Sequence, residues 1–496
     1  MRNPLRILMP AAVALLALVP PAAAQTDGYV MHCFGARTAS MGCVTRGQEG
    51  TPSTLFKDPA GIIGFQKPAL EVNVGALLPQ LSFQNQANTT GANGALHSYP
   101  LASLAYVGPR FLPTVAWAVG VDPIGGLGAD FRLKNAVVGA AQNYESFFAG
   151  IKAGPVLAWE IAPGLSFGAS ASLLYGQIPF FRMPVSMPPS AAKGMGALVQ
   201  MDPAHYPGLF SNFTELTAYG DTKNFAGTAF GADLGISWKP SPRLRVSASW
   251  SPKSTLKMNG GSATMDLSSQ FNTLFGALVQ ERVAYHGQTA AQAQATLGQM
   301  FAQAGIDLTK GVVGHYKAAT QMSVPQTWGV GASYHPAAGW TLALETGWMG
   351  WKAAQDTMPF TLTAGDNANL NILMNASPTN NAFSFPMQMK WKDTWIAKAG
   401  AERDFGGYAL RAGYAWNQNP VPDNTIFIAF PAIYEQSLMV GATVHMGRLP
   451  LDIEVGHALK KSVTGAAKSL IASEYGNSVT DASGWAVTLG TVISFK

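Results

Sequence analysis

Charge is scarce in this chain. Asp, Glu, Lys and Arg make up 12% of its 496 residues, roughly half the ~25% of an average soluble domain. So thin a charged coat argues against a large soluble enzyme. Long apolar runs are missing as well. Beyond the N-terminus no stretch reaches the roughly 18 apolar residues that a membrane-spanning helix needs. Cysteine is limited to Cys33 and Cys43. HExxH, CxxC and P-loop motifs are absent, and the eight histidines show no metal-ligand spacing. Neither a metal nor an organic cofactor is therefore expected. The formal charge of +5 forms no basic stripe, so nucleic acid is not an expected partner.

What the chain does have is apolar and aromatic surface. Hydrophobic residues reach 48%, with 25 Phe, 14 Tyr and 12 Trp, which excludes disorder. A chain apolar on average but never apolar for long has the composition of a membrane β-barrel, whose lipid-facing residues occupy every second position.

Residues 1–24 read as a secretory signal. Arg2 and Arg6 form the charged start, Ile7 to Val19 the apolar stretch, and Ala22-Ala23-Ala24 the cleavage site before Gln25. The apolar stretch is too short and too broken by Pro10, Pro20 and Pro21 for an anchor. The two cysteines lie close behind the new N-terminus. They are either joined in an oxidising compartment or two free buried thiols, and sequence supplies no geometry to choose.

From about residue 68 the apolar period becomes two. In 484–495 Trp485, Val487, Leu489, Thr491, Ile493 and Phe495 alternate with Gly484, Ala486, Thr488, Gly490, Val492 and Ser494, one face large and mainly apolar, the other small and mostly polar. Phe230 to Trp238, Trp340 to Trp348 and Tyr408 to Trp416 repeat the rule, with aromatics at the ends of the apolar face as an interface girdle requires. Fourteen such segments are countable through 68–496, an even number that suits a closed antiparallel barrel without exposed edges. Short turns (Ala162, Pro240, Phe405) alternate with long connections, which places the N-terminus on the periplasmic side.

Two long connections carry structure of their own. In 259–313 Phe271, Leu274, Phe275 and Leu278 recur at helical spacing, Thr289 can cap a second helix and Gly305 can end it. The stripe of that helical hairpin either packs on the barrel rim or faces a ligand. The connection 178–223 is rich in Phe180, Phe181, Met183 and Phe210, an adaptable apolar set suited to capture of hydrophobic molecules. Residues 25–67 are too long for a tail, and a plug inside the barrel is their natural place.

A literal G-x-S-x-G, Gly164 to Gly168, opens a strand rather than a strand-to-helix elbow, so Ser166 is not expected to be a nucleophile. The inward face carries Glu71, Lys152, Glu160, Asp233, Arg243, Arg245, Glu345, Lys398, Glu402, Arg411, Asp452 and Glu454. These charges are expected to pair with one another. The sharper alternative is that Lys152, Arg245, Lys398 or Arg411 binds a ligand carboxylate.

With those features in place the chain resembles the FadL-type outer-membrane transporters of long-chain fatty acids and related hydrophobic compounds. Met31-His32-Cys33-Phe34-Gly35-Ala36-Arg37 followed by Met41-Gly42 is similar to the family's HGYG…MGG opening. Asp58-Pro59-Ala60-Gly61 stands where members carry Asn-Pro-Ala-Gly, so Asp58 departs from the usual residue. Pro325-Gln326-Thr327-Trp328 resembles a strand entry, and Asn419-Pro420-Val421-Pro422-Asp423 a loop motif.

The resemblance implies a fourteen-stranded all-β transmembrane barrel with an N-terminal hatch (25–67) and helical extracellular loops. It also implies a route: capture outside, hatch rearrangement, and lateral exit through a kink in the third strand. Pro123, Gly125, Gly126 and Gly128 lie mid-strand, where Pro removes a ladder bond and Gly permits a bulge, so the kink is expected to open the wall laterally, the alternative being an ordinary bulge that only sets curvature. The expected protein is a passive outer-membrane importer and not an enzyme. It is expected to be monomeric and to contact a hydrophobic small molecule, membrane lipid and lipopolysaccharide. A general diffusion porin is the alternative, and an outer-membrane lipase a more distant one.

Overall fold

The computed structural model describes residues 26–135, 137–187, 215–447 and 449–495. The signal segment 1–24 and Phe210 lie outside them. Fourteen antiparallel strands form a closed barrel. They are β1 (Ala69–Asn85), β2 (Tyr99–Val107), β3 (Val115–Lys134), β4 (Ala141–Ala162) and β5 (Leu165–Met187). Then follow β6 (Leu216–Ser241), β7 (Leu244–Ser251 continued by Ser254–Asp266), β8 (Val313–Val324 continued by Thr327–Tyr334) and β9 (Trp340–Met349). The ring is completed by β10 (Thr394–Asp404), β11 (Tyr408–Asn417), β12 (Gln436–Met446), β13 (Leu449–Thr464) and β14 (Val479–Ser494). Each strand pairs with its sequence neighbours, and β14 closes on β1 from Val479 opposite Gln84 to Ser494 opposite Ala69.

Alternation builds the two faces. Along β9 Leu342 and Leu344 are exposed while Ala343 and Glu345 are buried. Successive Cβ atoms point to opposite sides of a strand, so the exposed apolar set is the lipid face. Trp250, Trp328, Trp348 and Trp395 stand opposite one another across β7 to β10 as one aromatic row. Trp159, Trp238, Trp340 and Tyr408 are exposed near the other end of the strands. The two rows bracket the apolar band as interfacial girdles do.

Two boundaries differ from the expected ones. Strands β5 and β6 remain paired well beyond 178 and 223, to Met187 opposite Leu216, and β7 runs on to Asp266. The ladder does not stop where the lipid face stops, because backbone pairing satisfies N–H and C=O groups in water as well as in lipid. The rest of 259–313 forms helix α1 (Ser268–His286) and helix α2 (Ala290–Gln303). Thr289 caps α2 with Gln292 in a reciprocal box.

Residues 26–67 pack against the inner faces of strands from every side of the ring. Leu55 lies on Gly120 of β3, Pro59 on Gly235 of β6, Arg46 on Gly329 of β8, and Ser40 on Gly441 of β12. At Gly413 of β11 a side chain would collide with the backbone of Gly42, so only glycine permits that approach. Leu55, Phe56, Ile62 and Ile63 form a small core with Ala105, Val107, Ala116, Ala118, Val156 and Ala158. Small inward residues leave the room that this segment fills.

Leu344 is 64% exposed and stands midway between Trp340 and Trp348. Leu344→Arg should destabilise the folded barrel in lipid by about 2–4 kcal/mol, read as a lower urea midpoint in vesicles. An unchanged midpoint would mean that this face does not meet hydrocarbon.

Candidate functional site

The wall is incomplete between β2 and β3. Their pairing covers only Leu104–Val107 opposite Val121–Ala118 and ends where Asp122-Pro123 begins. Beyond that point β3 stays fully paired with β4, with a register shift between Pro123 and Gly125. On its free edge Val30 of the N-terminal segment pairs with Gly125. Contact with the preceding chain resumes higher up, where Ala95 N–H donates to the carbonyl of Asp130 and Asn88 bonds Lys134. Between these bridges opens a chamber of about 350 Å³. Leu77, Tyr99, Leu101, Leu127, Phe148 and Tyr434 are among its walls, none of its lining residues is charged, and Gly125, Gly126 and Gly128 line it too.

Behind the chamber sits the tip of the N-terminal segment. Asp27 and Val30 pair across a tight turn that carries Tyr29 into the interior, fully buried. Asp27 accepts hydrogen bonds from Trp351 Nε1 at 2.8 Å and Thr394 Oγ1 at 2.6 Å. Cys33 and Cys43 are joined as a disulfide that closes the next turn of this segment. Asp58 accepts from Gly47 N–H at 2.9 Å and Gly61 N–H at 3.2 Å, capping the short turn Pro59–Gly64. Both carboxylate oxygens serve as acceptors, a task for which an amide offers one oxygen.

The inward charges pair. Glu345 holds Arg46 at 2.7 Å and Lys398 at 2.8 Å, and also accepts the Thr45 and Arg46 N–H groups. Arg411 bridges Glu402 at 2.5 Å and Asp452 at 3.1 Å, with Arg37 on Glu402 at 3.2 Å. Lys152 meets Asp233 at 2.5 Å, and Arg245 faces Glu49 at 3.7 Å. The four cations proposed for a ligand carboxylate are thus engaged by acids of the chain itself. Lys57 lines a separate cavity of about 60 Å³ together with Asp122 and Asp233. Ser166 donates to the carbonyls of Ala60 and Ser237, a packing role.

Of the expected capture residues, Phe181 and Met183 are buried and Phe180 is half-buried. Phe271, Leu274 and Leu278 are buried, and Phe271 and Phe275 pack on Phe301 of α2. The helical stripe is therefore used within the hairpin. An outer apolar pocket of about 280 Å³ instead lies between Met183, Val185 and Met187 of β5 and the strand Phe383–Gln388. That strand pairs with Thr357–Thr363, which attaches to β8. Neither it nor the aromatic group around Tyr29 follows a sequence period that would have revealed it.

A closed barrel with a lipid face, two aromatic girdles and a filled interior defines a β-barrel protein of the bacterial outer membrane. The chain belongs to the outer membrane protein transport protein family (OMPP1/FadL/TodX), whose model matches residues 15–496. No curated protein sequence matches it. Among solved structures it is similar to a Pseudomonas aeruginosa FadL homologue, with a TM-score of 0.66 at 14% identity over 95% of this chain and 100% of that one. It is also similar to the Pseudomonas putida toluene transporter TodX, with a TM-score of 0.64 at 14% identity over 95% and 100%. The Ralstonia pickettii toluene transporter TbuX gives 0.62 at 15% identity over 94% and 99%. The family is one of transport channels, not enzymes.

Glu345→Ala would leave Arg46 and Lys398 buried without their carboxylate, a loss of about 3–5 kcal/mol. Because Arg46 belongs to the N-terminal segment, planar-bilayer current through the variant should rise. Current equal to that of the wild type would show that Glu345 does not hold the segment in place.

A second prediction concerns the outer loop between β13 and β14. Glu474 accepts from Tyr144 at 2.7 Å and Asn135 at 2.8 Å, tying this loop to the β3–β4 end. Burial pushes its carboxyl up to about 7. The folded form thus holds its proton more tightly than the unfolded chain, so the tie is complete below the ordinary carboxyl range and weakens as pH rises through about 7. Amide exchange in 473–478 should accelerate between pH 5 and 8 relative to the intrinsic rate. Glu474→Gln should remove that acceleration.

Proposed function

We propose that this protein is a passive importer of hydrophobic molecules whose cargo leaves sideways into the bilayer between β2 and β3. The observation that carries this reading is the uncharged chamber of about 350 Å³ lying directly behind the unpaired stretch of β3. An alkyl chain loses roughly 0.8 kcal/mol for each CH₂ exposed to water, so an exit into hydrocarbon is favoured over one through an aqueous lumen. The outer pocket beside Met183 and Phe385 serves as the capture site. Its Met183, Val185 and Met187 belong to the same buried apolar cluster as Phe360, Met358 and Phe148, the last of which lines the chamber.

Residues 26–67 act as the hatch. Withdrawal of the Thr26–Met31 turn joins the interior to the chamber, and no energy source is involved beyond the gradient. The protein works as a monomer in contact with outer-membrane lipid and lipopolysaccharide. Two of the similar structures are toluene transporters, and a chamber without cations favours an uncharged lipophile, or the tail of a fatty acid, over a carboxylate.

Replacement of Gly125 is a poor test of the wall, because a side chain there collides with the Tyr29 carbonyl and disturbs the hatch as well. Leu101→Trp with Leu127→Trp fills the chamber instead. Uptake of a hydrophobic fluorophore into proteoliposomes should fall to background while heat-modifiable gel migration stays native. Wild-type uptake by that folded variant would overturn lateral exit.

A further inference from the structure

The outer wall of β6 to β8 changes character above Phe230. Along β6 Trp238, Ile236, Leu234 and Phe230 are exposed and apolar, Phe230 most of all at 87%. Past Phe230, away from the short turns, the exposed residues are polar. They are Thr228 and Lys223 on β6, Lys257, Asn259 and Ser262 on β7, and Gln321 and Lys317 on β8. Here the barrel leaves hydrocarbon and meets headgroups.

Strand register places the lysines. Ser262 stands directly opposite Lys223 on one side and Lys317 on the other. The three share the outer face, and β6 and β8 lie about 10 Å apart across β7. Lys257 stands opposite Gln321, four residues from Lys317 along β8, which is about 13 Å. The ground between is low, with Ala226 opposite Asn259 and Ala319 on the same face of β8 as Lys317.

Several nearby charges are already matched. Lys390 meets Asp356 at 3.1 Å and Lys460 meets Asp481 at 2.7 Å. His315 holds Asp366 through its backbone at 2.7 Å and its ring at 2.9 Å. Arg182 lies between Glu145 at 2.7 Å and Asp221 at 3.0 Å, so Lys223 shares Asp221, at 3.1 Å, with an arginine. Lys257 and Lys317 form no ion pair among the described residues and are exposed. Like charges gathered on one sheet face are unfavourable unless an anion joins them.

We propose that Lys257, Lys223 and Lys317 form a binding site for the acidic saccharide headgroup of lipopolysaccharide, whose acyl chains lie against Phe230. Lys257, beside the hydrocarbon boundary, takes a phosphate of the lipid. The Lys223–Ser262–Lys317 row takes acidic core sugars further out, with the Ser262 hydroxyl as an added donor, and the two alanines let a sugar ring lie flat. A phospholipid headgroup is too short to reach both. The proposal rests on the lipopolysaccharide contact named above and gives it a place on the wall.

Deep-rough lipopolysaccharide (lipid A bearing its acidic inner sugars) is the probe, titrated against the delipidated barrel in detergent and read by native mass spectrometry. The wild type should bind it saturably. A lysine at an anionic lipid surface contributes roughly fivefold in affinity, so K257Q/K317Q should bind about twentyfold more weakly. K390Q, which removes a lysine outside the site, should bind as the wild type does. Wild-type affinity in K257Q/K317Q overturns the site. Equal binding of dephosphorylated lipopolysaccharide or of phosphatidylglycerol overturns it too, as does displacement by micromolar inorganic pyrophosphate. A wild type that binds no lipopolysaccharide rejects the contact itself, whereas binding unaffected by the two substitutions rejects only its placement.

Discussion

Inside a bilayer every backbone N–H and C=O must find a partner within the protein, and an unsatisfied group costs several kcal/mol. A barrel meets this demand by closing on itself, and this one does so through β14 and β1. The break between β2 and β3 violates the rule locally, after Val121. Compensation comes from two directions. Pro123 has no N–H to leave unpaired, and Val30, Ala95 and Asn88 take up groups of β3 on either side. The opening exists because the N-terminal segment supports it from within.

That segment is in turn held by charge. Glu345 and Glu402 each bind one arginine of 26–67 and one cation of the wall. A buried carboxylate between two cations is stable only while both are present, so segment and barrel order one another. Gly331, against the Arg46 backbone, and Gly413, against that of Gly42, leave room for the segment to lie this close to the wall. The apolar contents of the interior then lie above the ionic layer and next to the wall opening, where a hydrophobic molecule has use for them.

Much of this architecture was legible because lipid imposes a period of two on each strand. Trp340 to Trp348 and Phe230 to Trp238 announce their faces without any structure. The ends of β5, β6 and β7 were not legible, since Phe180, Phe181 and Met183 read as loop composition although they continue a ladder above the membrane. The capping box at Thr289 was local chemistry and therefore readable. The aromatic group around Tyr29 was not, because Phe148, Trp351, Trp391 and Phe430 come from separate elements and meet only in three dimensions. The inward charges could be named but not matched, as partners such as Arg46 and Glu345 lie far apart in sequence.

The central claim is that the chamber between β2 and β3 communicates with hydrocarbon and not with water. A single cysteine at Leu127 tests it directly, because Cys33 and Cys43 are bonded to each other. In proteoliposomes Leu127→Cys should react with a bilayer-confined pyrene maleimide and resist a membrane-impermeant sulfonated maleimide. Fast labelling by the sulfonated reagent, with none by the lipophilic one, would contradict the account.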